Sequence, residues 1–296
     1  MNEEGLFEED AIEELRALVS NRAGELIRKT ARRLPDWDPP PFDPALLAET
    51  LDIRITQSNR LKDCDALLVP IPKGGFRILC NSLVRSEGRK RFSIAHEIAH
   101  TFLPNARVIC QMRTELKDRY YTSDSARKAE RLCDLGAVEL LMPRGFFLCA
   151  LSELGYRASA VPELSDRFAV SREAAALRLV ELSPGPCAVG FFQHTLRPSV
   201  KHSNAGPEDS VPGYRVTRFF RSKGFPFLLP QGKSIPRGSV IYKSSFGKRE
   251  LRATEAFSLG RRQCTLQVSA FPLPGKIDSD SPPTVCAVFE AGGKNG

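Results

Sequence analysis

The chain has 296 residues, enough for one large domain or two to three smaller ones with a real buried core. Its 42 % apolar and 26 % charged residues lie near the globular average, which excludes a disordered or fibrous chain. The net charge of +8 is segregated: the first fourteen residues carry seven acids and no base, whereas residues 197–262 carry fourteen Lys and Arg against four Asp and Glu. That basic stretch suits nucleic acid or an acidic partner, and equally a solvated face without one.

The acidic opening MNEEGLFEED lacks the basic start and apolar run of a secretory signal. No later stretch reaches the eighteen or so uncharged apolar residues of a membrane span. The expectation is a soluble cytoplasmic protein with no membrane partner. Eight cysteines are scattered without a CxxC pair, unlike a disulfide framework or a thiolate zinc knuckle, so most read as reduced core residues.

In chain order, residues 9–33 place Ile12, Leu15, Leu18, Val19, Leu26 and Ile27 on an amphipathic helix. The stretch LPDWDPPPFDP, residues 34–44, stops it, because proline denies helix hydrogen bonds, and the compact body is expected from Pro44. A short helix at 45–51 precedes three strand-like segments at 51–57, 66–71 and 76–81, the last two joined by the turn Lys73-Gly74-Gly75. Helical periodicity then covers 89–103, 124–141, 144–154, 160–168 and 172–182. Beyond Pro184, CAVGFFQHTL, YRVTRFF, GSVIYKSSF, RATEAFSL, CTLQVSAFPL and TVCAVFE read as strands. The fold class is α+β. Residues 1–43 form an N-terminal helix and connector, 44–158 a first domain with a small sheet and helices, 159–185 a helix-turn-helix-like segment, and 186–296 a mostly β domain.

The sharpest signal is Phe92-Ser93-Ile94-Ala95-His96-Glu97-Ile98-Ala99-His100. Helix residues four apart share a face, so His96 and His100 can present imidazoles to one metal ion. Glu97 is placed to act as general base on water at such an ion, which is the mechanical content of HExxH. The bland alternative is an amphipathic helix whose histidines are merely hydrogen-bonded. A catalytic zinc needs a third ligand and an open position. His194 and His202 lie beyond the helical region, so a carboxylate from 124–141 is the better source, with Glu130, Asp134 and Glu139 on offer. Glu130 shares a face with the small residues Ala126, Cys133 and Ala137, where a second helix can approach closely. Asp134, about 40° away, can orient a histidine through its second ring N–H, and Glu139, roughly half a turn round, faces solvent. A surface ion pair of Glu130 with Arg127 or Arg131 stays open on the residues alone.

The segments RFSIAHEIAHTFL and ERLCDLGAVELLMP together resemble the ImmA/IrrE metallopeptidases, in which HExxH is paired with a glutamate a fixed distance before a helix ending in LLMP. Glu130, thirteen residues before Pro143, stands at the family's third-ligand position. The resemblance, covering about residues 40–185, therefore implies a zincin-like peptidase domain. It implies His96, His100 and Glu130 as ligands of one zinc or other divalent transition metal, and Glu97 as catalytic base. Tyr120, Tyr121 and Arg127 are candidates for stabilising the oxyanion. The resemblance further implies an XRE-type helix-turn-helix repressor as substrate, whose cleavage derepresses stress-response or mobile-element genes.

Residues 160–182 have the outline of a DNA reader, yet the second helix opens with Arg172, Glu173 and three alanines and offers no Asn or Gln for adenine. Structural support or substrate docking is the better reading. In YRVTRFFR, alternation of arginines and aromatics fits a half-buried strand better than a nucleic-acid grip. Two functions follow: a zinc-dependent regulatory endopeptidase, or a DNA-binding regulator retaining a non-proteolytic peptidase-like domain. Residues 186–296 suit a sensory or substrate-docking role, and the oligomeric state is left open.

Overall fold

In the computed structural model, residues 9–61, 64–116, 122–196, 212–259, 262–273 and 282–291 are described. Contacts divide the chain into two units, Met1–Phe147 with Arg167–Ser171, and Leu148–Asp166 with Arg172–Gly296. The mixed α+β class holds in both, with a sheet and helices in each.

In the first unit, α1 (Glu9–Arg33) buries Leu15, Val19, Ala23, Leu26 and Ile27, the stripe legible in its sequence. Proline then ends the helix, but Phe42 of the connector is fully buried and packs edge-on against Trp37 and Phe146. Helix α2 (Pro44–Thr50) starts where Asp43 accepts from the Ala45 N–H at 2.8 Å, with Pro44 inside the first turn where a missing N–H costs nothing. The buried Thr30 hydroxyl joins α1 to α2 through Thr50 at 3.0 Å. Packing therefore carries this body back to α1, ahead of the expected start at Pro44. Strands β1 (Arg54–Ser58), β2 (Ala66–Pro70) and β3 (Phe76–Asn81) form a sheet in the order β1-β3-β2. β3 is parallel to β1 and antiparallel to β2, leaving β2 on an edge.

Helix α3 (Glu87–His100) carries the HExxH stretch and begins at Ser86, whose side chain accepts from the Arg89 N–H. Helix α4 (Ala106–Leu116) was not legible: its inward positions include Cys110 and Arg113, so a charge interrupts the apolar stripe. Helix α5 (Asp124–Leu141) matches expectation to the residue, capped by Ser123 accepting from the Ala126 N–H at 3.1 Å. A β-carbon built on Gly136 of α5 would lie 2.5 Å from the Ala99 Cβ and 3.0 Å from the Val19 Cγ1. Only glycine lets α5 come this close to α3 while touching α1.

The second unit contains most of α6 (Arg144–Leu154) and α7 (Ala160–Phe168), all of α8 (Arg172–Leu182), and a five-stranded antiparallel sheet. Its strands are β4 (Cys187–Thr195), β5 (Gly213–Arg221), β6 (Leu251–Leu259), β7 (Arg262–Pro272) and β8 (Val285–Ala291), ordered β5-β4-β8-β7-β6. Phe192, Tyr214, Phe225, Val268 and Phe289 build its core. YRVTRFFR is strand β5. GSVIYKSSF, expected as a strand, instead contains the short helix α9 (Val240–Ser244). Ser239 caps it by accepting from the Ile241 N–H, and Glu255 of β6 accepts from both the Ser239 hydroxyl and the Val240 N–H. No single helix among the described residues is long and apolar enough to cross a membrane.

Replacing Gly136 by Ala gains about 1 kcal/mol of helix propensity but costs roughly 1–3 kcal/mol of overpacking. We expect the clash to dominate and chemical denaturation to show a net loss; unchanged or increased stability contradicts the close approach.

Candidate metal centre

The close packing of α3 on α5 sets one face of each helix against the other. His96 and His100, one turn apart on α3, have ring centroids 5.0 Å apart. From α5, Glu130 Oε2 lies 3.0 Å from His96 Nε2 and 3.7 Å from His100 Nε2. His96 Nδ1 lies 2.9 Å from Asp134 Oδ1, so the half-exposed Asp134 occupies the orienting position its helical angle suggested. His100 is completely buried, and neither ring nitrogen finds a hydrogen-bond partner among the described residues. A buried imidazole with unspent nitrogens, beside a carboxylate too far for a hydrogen bond, suits a divalent ion better than a packed core.

Protonation follows from the same geometry. Burial and the nearby Arg113 charge hold His100 below the ordinary imidazole range, leaving it neutral as a ligand must be. Burial would also lower His96, but its bonds to Asp134 and Glu130 carry it up to about 9. Burial would raise Glu130, yet both histidines and Arg113 keep its carboxyl far below the usual carboxylate range. In the pair His96–Glu130 the proton thus stays on the imidazole, in a place where one divalent cation would satisfy both groups and His100 as well.

Glu97 is buried, and its carboxylate is fully engaged. Oε2 accepts from the Leu68 N–H of edge strand β2 at 2.7 Å and from Arg113 Nη1 at 2.8 Å, while Oε1 accepts from Arg113 Nη2 at 3.0 Å. Burial would push this carboxyl up, but the paired guanidinium and the neighbouring histidines hold it below its ordinary value. Arg113, itself buried, also sets Nε 3.4 Å from Glu130 Oε1. It is the residue that sequence reading missed. The available signal was a charge on the inward stripe of 106–116, one turn after Cys110.

Of the other candidates, Arg127 lies on the exposed side of α5, 3.8 Å from Asp124, so it neither pairs with Glu130 nor reaches the histidines. Glu139 is half-buried rather than solvent-facing and accepts from the Arg144 N–H at 3.4 Å. His194 lies in β4, packed on Tyr214. Tyr120, Tyr121 and His202 lie outside the described residues. Cys133, one turn beyond Glu130, brings its sulfur within 4.8 Å of the ligand nitrogens of His96 and His100. Its thiol is pushed well above the ordinary value by burial and then by the Glu130 and Glu97 charges. Glu130 is already ionised, whereas Cys133 must first lose a proton beside two carboxylates, so the carboxylate is the easier ligand.

Residues 48–180 match the family model described as the IrrE N-terminal-like domain. Over this stretch, somewhat under half of its length, the chain is similar to the ImmA/IrrE proteins. It is 28 % identical over 206 residues to the radiation response metalloprotease IrrE of Deinococcus radiodurans, an alignment covering 68 % of this chain and 61 % of that one. The protein of the same name from Deinococcus deserti is 37 % identical over 159 residues, covering 54 % of this chain and 53 % of the relative. The chain thus spans between about half and three-fifths of these curated relatives. A solved transcriptional regulator from Mycobacterium tuberculosis superposes over 95 % of this chain and 80 % of its own, with a TM-score of 0.46 and 17 % identity, a likeness that decides neither fold nor function.

Metal analysis of purified variants separates the two possible third ligands. We expect Glu130→Ala to lose at least about 90 % of bound zinc, given the 10–100-fold or larger effects of perturbing a metal site, and Cys133→Ser to keep it. The opposite pattern makes Cys133 the ligand.

Proposed function

We propose that this chain is a member of the ImmA/IrrE family and a zinc-dependent regulatory endopeptidase of the HExxH…E, zincin-like type. His96, His100 and Glu130 would hold the ion, with Glu97 as general base. The supporting observation is the convergence of three donor side chains from two helices beside the buried Glu97 carboxylate. A site that only stored a metal would have no chemical need for Glu97.

When bound, the metal supplies Lewis-acid polarisation of a carbonyl and makes water more acidic. The chain supplies the rest. Glu97, ionised at neutral pH, can take a proton at a carboxylate oxygen and pass it to the leaving amine nitrogen. Asp134 fixes the His96 ring by holding Nδ1, leaving Nε2 to face Glu130. The Leu68 N–H anchors Glu97 Oε2 to the sheet edge, restricting the base to one orientation.

The family resemblance supports an XRE-type repressor as substrate, cut in the cytoplasm to derepress stress-response or mobile-element genes, and the relatives named for radiation response fit a stress setting. We assign residues 44–158 to the peptidase body and 186–296 to substrate docking or sensing. Direct DNA reading by 159–185 is disfavoured: Ala175, Ala176, Arg178 and Leu179 of α8 are buried, and its exposed positions include Glu173 and Glu181, which repel phosphate.

Purified full chain is incubated with the repressor encoded beside it. We expect cutting that chelator abolishes and zinc restores, and a loss of about 10²–10⁴ in rate for Glu97→Gln with zinc retained. Tight, salt-sensitive promoter binding without cutting supports the DNA-binding regulator instead.

A further inference from the structure

We infer that Arg113 is an internal counter-ion that stands in for the metal's charge: it holds Glu97 and Glu130 in place in the metal-free chain and opposes the incoming cation. This rests on the metal reading proposed above. Two carboxylates, Glu97 at 3 % and Glu130 at intermediate exposure, lie in one packed interface, and both face the Arg113 guanidinium. Buried carboxylates keep their charge only beside cations. Arg113 serves both, through the forked pair with Glu97 at 2.8 and 3.0 Å and through Nε at 3.4 Å from Glu130 Oε1. The fork fixes the plane of the Glu97 carboxylate, which one point charge could not do.

The consequence concerns metal affinity and has a sign opposite to that of ordinary structural damage. A divalent ion held by His96, His100 and Glu130 sits in the field of a fixed guanidinium that repels it and that competes for Glu130. Deleting the positive charge leaves Glu97 without its forked cation and Glu130 with the histidines alone in the metal-free pocket, while in the loaded pocket the ion takes over part of that compensation. Loss of Arg113 thus harms the metal-free chain more than the loaded one, and by linkage the folded variant binds metal more tightly. Arg113 is accordingly a positioning residue.

The test is zinc affinity of the full chain by competition with a chromophoric chelator, together with Tm in chelator and in saturating zinc. It compares Arg113→Gln, which keeps a hydrogen-bond donor without charge, with Arg113→Lys, which keeps charge without the fork. We expect Gln to bind zinc at least about tenfold more tightly, with a larger zinc-induced rise in Tm than the wild type, and Lys to stay within about threefold of wild type, since only the former deletes a unit charge. Unchanged or weaker binding by Gln, or equal tightening in Gln and Lys, overturns the inference. If Gln cannot be purified folded, refolding with and without zinc decides: recovery only with zinc supports it, recovery in neither overturns it. A wild-type chain that binds no zinc overturns the metal reading as well, and is distinguished by that result.

Discussion

Two acidic side chains between α3, α4 and α5, one buried and one largely so, are the constraint on which this site is built. Ionised carboxylates in a packed interior carry a desolvation cost of several kcal/mol each unless cations face them. Glu97 and Glu130 meet this cost with Arg113 and the histidine pair, all within about one layer of side chains. The arrangement needs α3 and α5 in near contact, and Gly136 against Ala99 makes that contact possible. A residue without a side chain thus controls how closely the charged groups approach.

The local environment also divides the acids by partner and exposure. Asp134 stays half-exposed and touches only the outer nitrogen of His96. Glu130 meets both imidazoles, and Glu97 is turned to the sheet edge and the guanidinium. Three carboxylates on two packed helices therefore differ in partner and burial, so their environments set them apart. The surrounding thiols remain protonated: burial pushes Cys80 up to about 11 and Cys110 up to about 12. They act as small apolar wall rather than as nucleophiles.

Much of this was readable from the chain. The boundaries of α5 follow from Ser123 as cap and from the spacing of Ala126, Ala129, Cys133 and Ala137, all buried. The meeting of His96, His100 and Glu130 follows from helix period together with the family's spacing to LLMP. Arg113 escaped because a buried arginine breaks the apolar stripe that reveals an amphipathic helix, and its partners lie 16 and 17 residues away on other helices. The strand expected at GSVIYKSSF failed for a similar reason. Its β-branched and aromatic residues favour a strand locally, but the capping partner Glu255 sits on a distant strand and tips the segment into a helical turn. Local pattern records propensity and period; it does not record which buried charge finds a partner after folding.

In the proposed function, two imidazoles and one carboxylate from α3 and α5 grip a single divalent ion. X-ray absorption at the zinc edge, on the zinc-loaded full chain, tests it most directly. The expected result is a shell of nitrogen and oxygen only, at about 2.0–2.2 Å, with the outer scattering of two imidazole rings. A sulfur neighbour at about 2.3 Å, or a shell without two imidazoles, would contradict it.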